Sequence, residues 1–470
     1  NYINVSNRIF DSRLLSYFTR IQYDFKGKYL LSALMRRDGS TNFGPNNKFG
    51  FFPSASLGWI ASEESFLENS SVFDFLKFRG SYGIIGNDRI GAFRFESLLS
   101  GEGVYVFNDG LVYGTAIGAI SNPDVKWEEQ VTFDLGMDSR FLDGKLSVEM
   151  DYFNRETRDL LLVVQTSGTT GATAPGSGNP TANAGSVRNI GFELSLGYRQ
   201  DVSDDVSFGI NYNLTTLNNE VLSVNNGIGY EIGGGFGIGQ DPPARMEEGY
   251  PIGYYYGYQT EGIFQTQDQA DNAPSQIALG ATARAGDIRF KDLNGDGVIN
   301  TADKSYIGDP IPDVTMGLNL SFDYKNFDFQ SYFFASIGND LVRNYERNDR
   351  YTNRTTYYLN RWTGEGTGNV YPRVTTGATS NLVFSDFYVE DGSFLRAQNL
   401  QIGYTLGAEM LEKLKLAKLR LYVSVSNAFT LTRYRGYDPT SSSGAPIGSG
   451  FDPGFYPTPR TYLFGANIKL

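Results

Sequence analysis

Residues 417–427 read A-K-L-R-L-Y-V-S-V-S-N and alternate between apolar and polar side chains. One set of alternate positions is aliphatic throughout: Leu419, Leu421, Val423 and Val425. The intervening positions hold Lys418, Arg420, Tyr422, Ser424 and Ser426. Because successive side chains of an extended chain point to opposite sides, this stretch predicts a β-strand with one apolar and one polar face.

The same alternation recurs along the chain, in residues 130–138, 145–152, 192–199, 206–215 and 316–324. Each predicted strand has about 9–11 residues, which is the length that crosses a bilayer at a tilt. Aromatic residues stand near many predicted strand ends: Tyr23, Tyr29, Tyr152, Tyr198, Phe322, Tyr324 and Tyr462. The pattern predicts an all-β, transmembrane antiparallel barrel whose aromatic residues lie at the membrane interfaces.

The predicted connections alternate between short and long. Short turns are expected at 141–144, 200–205 and 325–326, and long loops at 165–187, 217–249, 265–312, 338–387 and 432–460. Short turns on one side and long loops on the other are typical of outer-membrane barrels. About 12 to 14 strands are predicted, with one short turn of helix over 409–416 and another over 62–69. A soluble β-sandwich array or propeller remains an alternative, although no blade-like repeat is present.

Composition excludes several classes of chemistry. The 470 residues include 40 Lys and Arg against 52 Asp and Glu, for a net charge of −12, and contain neither Cys nor His. The chain therefore has no disulfide, no thiolate nucleophile, no Cys/His zinc site and no Ser-His-Asp triad. Its acidity, with a pI near 4.8, disfavours nucleic-acid binding. Residues 1–4 do not resemble a signal peptide, so an export signal is expected to be removed or to lie upstream.

Eight stretches, in order along the chain, carry a family resemblance: residues 36–44, 52–59, 76–87, 122–128, 286–292, 391–400, 436–439 and 457–462. They resemble signatures of the SusC/RagA family, which are TonB-linked outer-membrane transporters of Bacteroidetes. The resemblance implies a barrel of about 22 strands. Residues 1–470 are expected to be its C-terminal portion, because the TonB-contact segment, the plug domain and the early strands have no counterpart here. The last residue, Leu470, departs from the terminal aromatic common in outer-membrane barrels.

The family resemblance also implies a function. The full protein would lie in the bacterial outer membrane as a multi-pass barrel and import large nutrients, either oligosaccharides or peptides. It would take energy from TonB through the missing N-terminal part, with a SusD-like surface lipoprotein as a lid over the barrel mouth and outer-membrane lipid around the wall. Two alternatives remain open: a non-transporting barrel that serves as a surface assembly or adhesion platform, and a soluble glycan-binding protein or glycosidase.

One loop has the spacing of a metal site. Residues 292–303 fit the EF-hand template, with side-chain oxygens expected from Asp292, Asn294 and Asp296. The remaining expected ligands are the carbonyl of Val298, the side chain of Asn300 and the carboxylate of Asp303 in place of the usual Glu. The motif predicts a structural Ca²⁺ or Mg²⁺. The alternative is a metal-free Asn/Asp/Gly turn, because these residues are common turn formers.

The remaining motifs do not indicate catalysis. The run 233–239 is rich in Gly but lacks the Lys-Ser/Thr of a phosphate-binding loop. Neighbouring acids at 128–129, 204–205 and 247–248 point apart on a strand or turn, so no glycosidase pair is expected. Trp127, Trp362 and the tyrosine runs 254–256 and 357–358 could line a glycan or peptide path, or simply pack. The chain is therefore predicted to be no enzyme and to hold no organic cofactor.

Overall fold

The computed structural model describes residues 12–68, 70–91, 93–97, 99, 101–164, 178–237, 240–345, 355–440 and 442–470. Its contacts divide the chain into two compact units. Unit 1 comprises Asn1–Tyr198, Leu217–Glu231 and Glu247–Gly249, and unit 2 comprises Arg199–Thr216, Ile232–Met246 and Tyr250–Leu470. Among the described residues, no helix has the length and apolar character that crossing a membrane requires.

The described chain is built mainly from strands. In the first half they are β1 (Leu14–Phe25), β2 (Tyr29–Ser40), β3 (Phe49–Ile60), β4 (Phe75–Asn87), β5 (Gly101–Phe107), β6 (Gly110–Ala116), β7 (Glu128–Phe141), β8 (Leu146–Arg158), β9 (Leu161–Val163), β10 (Thr181–Asn183), β11 (Gly185–Ser203), β12 (Val206–Val224) and β13 (Tyr230–Gly233). In the second half they are β14 (Ala244–Glu247), β15 (Tyr254–Tyr258), β16 (Thr260–Ile263), β17 (Ile288–Phe290), β18 (Lys304–Tyr306), β19 (Val314–Tyr324), β20 (Phe327–Ile337), β21 (Asp340–Arg343), β22 (Val389–Asp391), β23 (Phe394–Thr405), β24 (Lys418–Thr432), β25 (Phe451–Asp452) and β26 (Thr461–Lys469). The α-helices are α1 (Gln267–Asp271) and α2 (Ala408–Leu414).

Long antiparallel strands form the wall of each unit. In unit 1 they pair in the order β1-β2-β3-β4-β7-β8-β11, and in unit 2 in the order β12-β19-β20-β23-β24-β26. These thirteen long strands agree with the predicted number. Two of them are longer than predicted, since β11 and β12 have 19 residues each and take in parts of the predicted loops. Because each strand reverses direction, the short turns and the long loops of a unit fall at opposite strand ends.

The register brings the predicted apolar faces together. In unit 2, Phe322, Phe329, Ile402, Val423 and Phe464 occupy one row across five strands. All five side chains are at least 36% exposed. A row of exposed large apolar side chains would be a liability in water but is the expected surface toward lipid. The alternation predicted from the sequence is thus confirmed: its apolar positions form one exposed face, here called the lipid-type face.

Unit 1 has an equivalent row. It passes through Tyr23, Leu31, Leu57, Gly80, Leu135, Tyr152 and Phe192. Its six large side chains are 38–63% exposed. Gly80 lies where a Cβ would come within 3.2 Å of the Leu135 side chain, so the missing side chain makes room for its neighbour.

The buried apolar residues lie mainly in the long connections. One cluster in unit 2 contains Phe236, Ala244, Tyr255, Val342, Phe384, Tyr388 and Phe451. A cluster in unit 1 contains Phe43, Phe52, Val125 and Trp127. The loops therefore have cores of their own, which explains how connections of this length hold a defined structure.

The two predicted helices have different outcomes. The helix predicted over 409–416 is confirmed as α2, which ends where Lys415 adopts a left-handed conformation with φ of 54°. The turn of helix expected over 62–69 forms in part, as a 3₁₀ turn at Ala61–Glu63 followed by hydrogen-bonded turns up to Glu68.

Candidate functional site

The face opposite the apolar row of unit 1 carries an ionic cluster. Arg79 on β4 reaches Asp138 on β7 at 2.9 Å and Asp151 on β8 at 2.6 Å. Asp134 lies 3.4 Å from the same guanidinium, and Lys77 lies 3.5 Å from Asp138. The arginine and the three acids are partly exposed, at 14–31%. Such a cluster on a strand face indicates contact with water, because charges facing lipid would be costly.

The corresponding face of unit 2 is polar as well. Arg420 on β24 forms a two-pronged ion pair with Asp328 on β20. The Ser424 hydroxyl donates to Asn399 at 2.7 Å across the β23–β24 pair. Both units therefore have one apolar and one hydrogen-bonding face, as the sequence predicts.

The loops of unit 2 are held by buried polar contacts. Arg343, fully buried, donates to Glu390 and to the carbonyl of Phe387, both at 3.2 Å. Glu390 also accepts from the guanidinium of Arg435 at 3.0 Å. One buried acid between two arginines joins three segments distant in sequence. Removing one partner of such a network leaves an uncompensated buried charge.

A second polar group lies beside the start of β21. Burial raises the pKa of Asp340 to about 6, and the carboxylates of Asp309, Asp391 and Asp313 also act to raise it. The backbone N–H of Asp309 donates to the Asp340 carboxylate at 3.3 Å. Burial likewise raises the pKa of Asp309, although the Tyr306 hydroxyl donates to it at 2.5 Å. Sequence analysis missed this group, because its members are separated by up to 82 positions from Asp309 to Asp391.

Of the aromatic residues considered as path-lining, Trp127, Tyr254 and Tyr255 are buried, whereas Tyr256, Tyr357, Tyr358 and Trp362 are partly exposed. Tyr254 and Tyr255 are 2% and 0% exposed, and the Tyr255 hydroxyl donates to the carbonyls of Asp340 and Ser449. Trp127 is 6% exposed and donates to the Lys48 carbonyl at 3.3 Å. Trp362 packs against Gly286, where a Cβ would come within 2.3 Å of the indole. Packing is thus the role that the structure supports for Trp127, Trp362, Tyr254 and Tyr255.

The predicted metal ligands lie together in one loop. Asp292 accepts hydrogen bonds from the N–H groups of Gly295 and Gly297, at 2.7 and 2.8 Å. These bonds, led by that from Gly297, hold the pKa of the carboxyl below its ordinary value. The buried Asp303 accepts from the N–H groups of Leu293 and Asn300, both at 2.9 Å.

The other expected ligands also make local hydrogen bonds. Asp296 accepts from the Val298 N–H at 2.8 Å, Asn294 accepts from the Asp296 N–H at 3.0 Å, and the Val298 carbonyl accepts from the Asn300 side chain at 3.3 Å. Carboxylate, amide and carbonyl oxygens are the donors that Ca²⁺ and Mg²⁺ prefer, and each accepting oxygen keeps a second lone pair. Within the described residues, no three His, Cys, Asp or Glu side chains converge on a metal position. An ion would therefore need the amide and carbonyl oxygens too, and the metal site stays a prediction.

An apolar hairpin in unit 1 is exposed on both faces. Strands β5 and β6 form a two-stranded sheet, joined by a turn at Asn108 and Asp109 with positive φ angles. Both faces are apolar, and the large side chains are 41–74% exposed: Val104, Tyr105, Val106, Phe107, Leu111, Val112 and Tyr113. A lone two-stranded hairpin is marginally stable in water, and an exposed apolar patch of this kind marks an interaction site.

Each unit has a wall with one lipid-type and one polar face and carries long folded loops, which are features typical of outer-membrane barrel proteins. More particularly, a family described as "TonB dependent receptor-like, beta-barrel" matches residues 1–428, and the chain belongs to this family. The predicted fold class and outer-membrane location are thereby confirmed.

Two relatives extend this assignment. The chain is 34% identical over 477 residues to TonB-dependent receptor P3 of Formosa agariphila, matching 99% of this chain and 46% of that protein. It is 30% identical over 469 residues to TonB-dependent receptor SusC of Bacteroides thetaiotaomicron, matching 97% of this chain and 44% of that protein. The chain thus spans about half the length of the curated relatives it matches. The resemblance to the SusC/RagA family is confirmed.

The fold is similar to that of a solved RagAB peptide transporter. The TM-score is 0.81 at 23% identity, over 98% of this chain and 47% of that chain. At this level of identity the likeness supports the shared fold alone.

Proposed function

We propose that this chain forms the C-terminal part of the barrel of a TonB-dependent transporter that imports large nutrients, either oligosaccharides or peptides. The observation that carries the proposal is the ionic polar face around Arg79 in a barrel of this family. A solute path needs a wall that stays hydrated, and paired charges provide one. The energy would come from TonB through a segment outside these 470 residues. The proposal assigns transport to the chain, and no catalysis.

A SusD-like surface lipoprotein is the proposed partner. The β5–β6 hairpin supports it, because a two-sided apolar hairpin among the long loops needs a protein surface to cover it. The aromatic residues Tyr105 and Tyr113 would supply most of the buried area.

Co-purification tests this partnership. The native receptor is extracted from outer membranes in mild detergent and its companions are identified by mass spectrometry. A lipoprotein should accompany the wild type, and the double change Tyr105→Asp and Tyr113→Asp should reduce it by at least about tenfold. Thr115→Asp, on an exposed residue of the same hairpin, is the matched control and should retain it. If the lipoprotein were recovered equally with the double variant and with Thr115→Asp, the hairpin would not be part of the interface.

Deletion of the gene tests import itself. The mutant cells should lose growth on one class of polymer, oligosaccharide or peptide, and a TonB-deficient strain should lose the same growth. Unchanged growth on every polymer of both classes would contradict the transport proposal. Unchanged growth of the deletion mutant, together with a lipoprotein that co-purifies with the receptor of wild-type cells, would favour the surface-platform alternative.

We also propose that the loop 292–303 binds Ca²⁺ or Mg²⁺. The support is the set of hard oxygen donors at Asp292, Asp296 and Asp303, joined by those of Asn294, Val298 and Asn300. The ion would make the connection between β17 and β18 rigid rather than take part in chemistry.

A further inference from the structure

An arginine lies on the lipid-type face of unit 1. Arg37 on β2 stands directly opposite Tyr17 on β1 and Phe51 on β3, so the three side chains share one face of the wall. All three are exposed, Tyr17 at 61% and Phe51 at 56%. The face is the lipid-type one, because Leu31 of the apolar row precedes Arg37 by six positions on the same strand.

Uncharged side chains lie on both sides of Arg37 along this face. Four earlier positions of the face on β2 are uncharged: Tyr29, Leu31, Ala33 and Met35. Beyond Arg37, the next row pairs Leu15, Gly39 and Phe49. Leu15 is 51% exposed and Phe49 is 43% exposed. Because the apolar face continues past Arg37, its charge would be costly if hydrocarbon surrounded it.

The side chain of Arg37 extends toward that next row. A Cβ on Gly39 would collide with the ring of Phe49, so the ring lies over Gly39 in the space that the missing side chain leaves. The guanidinium carbon of Arg37 lies 4.6 Å from the centroid of this ring. The charge is therefore displaced along the strand, away from the backbone of Arg37, as long basic side chains do near a membrane interface.

The spacing along β2 places this charge at one edge of the membrane. Tyr29 follows the short β1–β2 turn, and Arg37 and Gly39 come eight and ten residues later. These separations correspond to about 26 and 33 Å along a strand. At a tilt of about 40° they span about 20 and 25 Å of thickness, against an apolar band of about 25 Å. The guanidinium thus reaches the boundary remote from the short turn, where lipid phosphate groups begin.

The charge of Arg37 is not neutralised within its own wall. Among the residues that the structure describes, no carboxylate forms an ion pair with Arg37, whereas Arg36 on the polar face lies 2.9 Å from Asp38. A guanidinium has five N–H donors in one plane and binds phosphate oxygens through two of them. Stacking on Phe49 uses only the flat side of the guanidinium, so the donors at its edge remain available.

We propose that Arg37 binds the phosphate group of an anionic lipid in the outer leaflet of the membrane. Phe49 holds the guanidinium flat and is a positioning residue. Tyr17 and Phe51 flank the acyl chains of the same lipid near its headgroup. The site is independent of import, since it fixes the height of the wall in the membrane whether or not a solute passes.

Lipid binding to the full-length receptor tests this site. The receptor in a non-ionic detergent is titrated with diphosphoryl lipid A, and the bound lipid is counted by native mass spectrometry. Arg37→Gln should weaken the tightest binding step by about tenfold. Arg36→Gln, the same change on the polar face of the same strand, is the matched control and should bind as the wild type does. Equal affinities of the two variants would overturn the proposal.

The same titration tests the supporting ring. Phe49→Leu should weaken the tightest step by about threefold, because the guanidinium loses its flat support. Phe49→Tyr keeps a ring and should bind as the wild type does. Binding that is unchanged in Phe49→Leu would contradict the role assigned to the ring.

Two measurements on the wild type keep the site testable if Arg37→Gln fails to fold. Lipid A without its phosphate groups should bind about tenfold more weakly than the diphosphoryl form, and equal binding would overturn the proposal. Inorganic phosphate at the concentration of the lipid should not displace it, because the free ion has no acyl chains to contact the exposed aromatic residues. Displacement would mean that the site binds free phosphate and would overturn the assignment to lipid.

Discussion

Individual residues in the loops of unit 2 show how buried charge is handled in two ways. Arg343 is fully buried but finds Glu390, so its charge is compensated. Asp340 is partly buried beside other acids, and Asp309, Asp313 and Asp391 add repulsion. The first arrangement holds the loops together through a compensated ion pair, whereas the second makes the loops beside Asp340 sensitive to pH.

Asp340→Asn should remove that sensitivity. The pKa of Asp340 is about 6 in the folded chain and about 3.9 in an unfolded one, so the folded state holds its proton more tightly. The stability of the surrounding loops should therefore fall as the pH rises from about 4 to about 6 and stay lower above that window. At pH 8 the variant should be more stable by about 1–2 kcal/mol, a value already reduced for solvent screening, and nearly unchanged at pH 4.

Hydrogen-exchange protection factors for residues 307–313 and 338–343 measure this effect. Asp268→Asn, on an exposed acid of α1, is the control and should retain the wild-type pH dependence. Protection that does not vary with pH in the wild type would contradict the assignment to Asp340.

Asp296→Ala, again a change of one residue, tests the predicted metal site in the loop 292–303. The full-length receptor, after dialysis, should retain one Ca²⁺ or Mg²⁺ by elemental mass spectrometry, and the variant should bind it at least about tenfold more weakly. A chelator should increase hydrogen exchange over 292–303 in the wild type only. Asp268→Asn again serves as the control. A wild type without a divalent ion, and without any response to the chelator, would favour the metal-free turn.

At the scale of the secondary-structure elements, each long strand has an apolar face for lipid and a polar face for water. The row that includes Leu135 is apolar, while Asp134 next to it joins the Arg79 cluster. Brief helical spacings also fold locally: that over 409–416 forms α2, and that over 62–69 begins with the 3₁₀ turn at Ala61–Glu63.

A single arginine should distinguish the two faces of β7. Leu135→Arg places a charge toward lipid and should cost about 2–4 kcal/mol of folding free energy. Thr132→Arg, on the polar face of the same strand, should cost less than about 1 kcal/mol. Unfolding of the receptor in lipid vesicles, followed by heat-modifiable gel mobility, gives both values. Equal losses would mean that the faces of β7 are assigned incorrectly.

At the scale of the whole molecule, the absence of Cys gives a direct test of orientation. The long loops are expected at the cell surface and the short connections in the periplasm. Glu365→Cys, in the connection between β21 and β22, should react with a membrane-impermeant maleimide on intact cells. Glu412→Cys, on α2 in a short connection, should react only after the outer membrane is permeabilised. The reverse pattern of labelling would invert the proposed topology.

The sequence by itself determined the strands, their two faces, the alternation of turns and loops, and the family. Each of these depends on period-two patterning or on contiguous motifs, which are local properties of the chain. Only the tertiary structure decided which loop residues are core and which are accessible. Tyr250 and Tyr306 lie 56 positions apart, and Arg343 and Glu390 lie 47 apart. Such pairs meet because distant loops fold onto one another, and no local periodicity encodes that contact. The same reason explains why Tyr254 and Tyr255 belong to the core of the loops while the neighbouring Tyr250 lies at their surface.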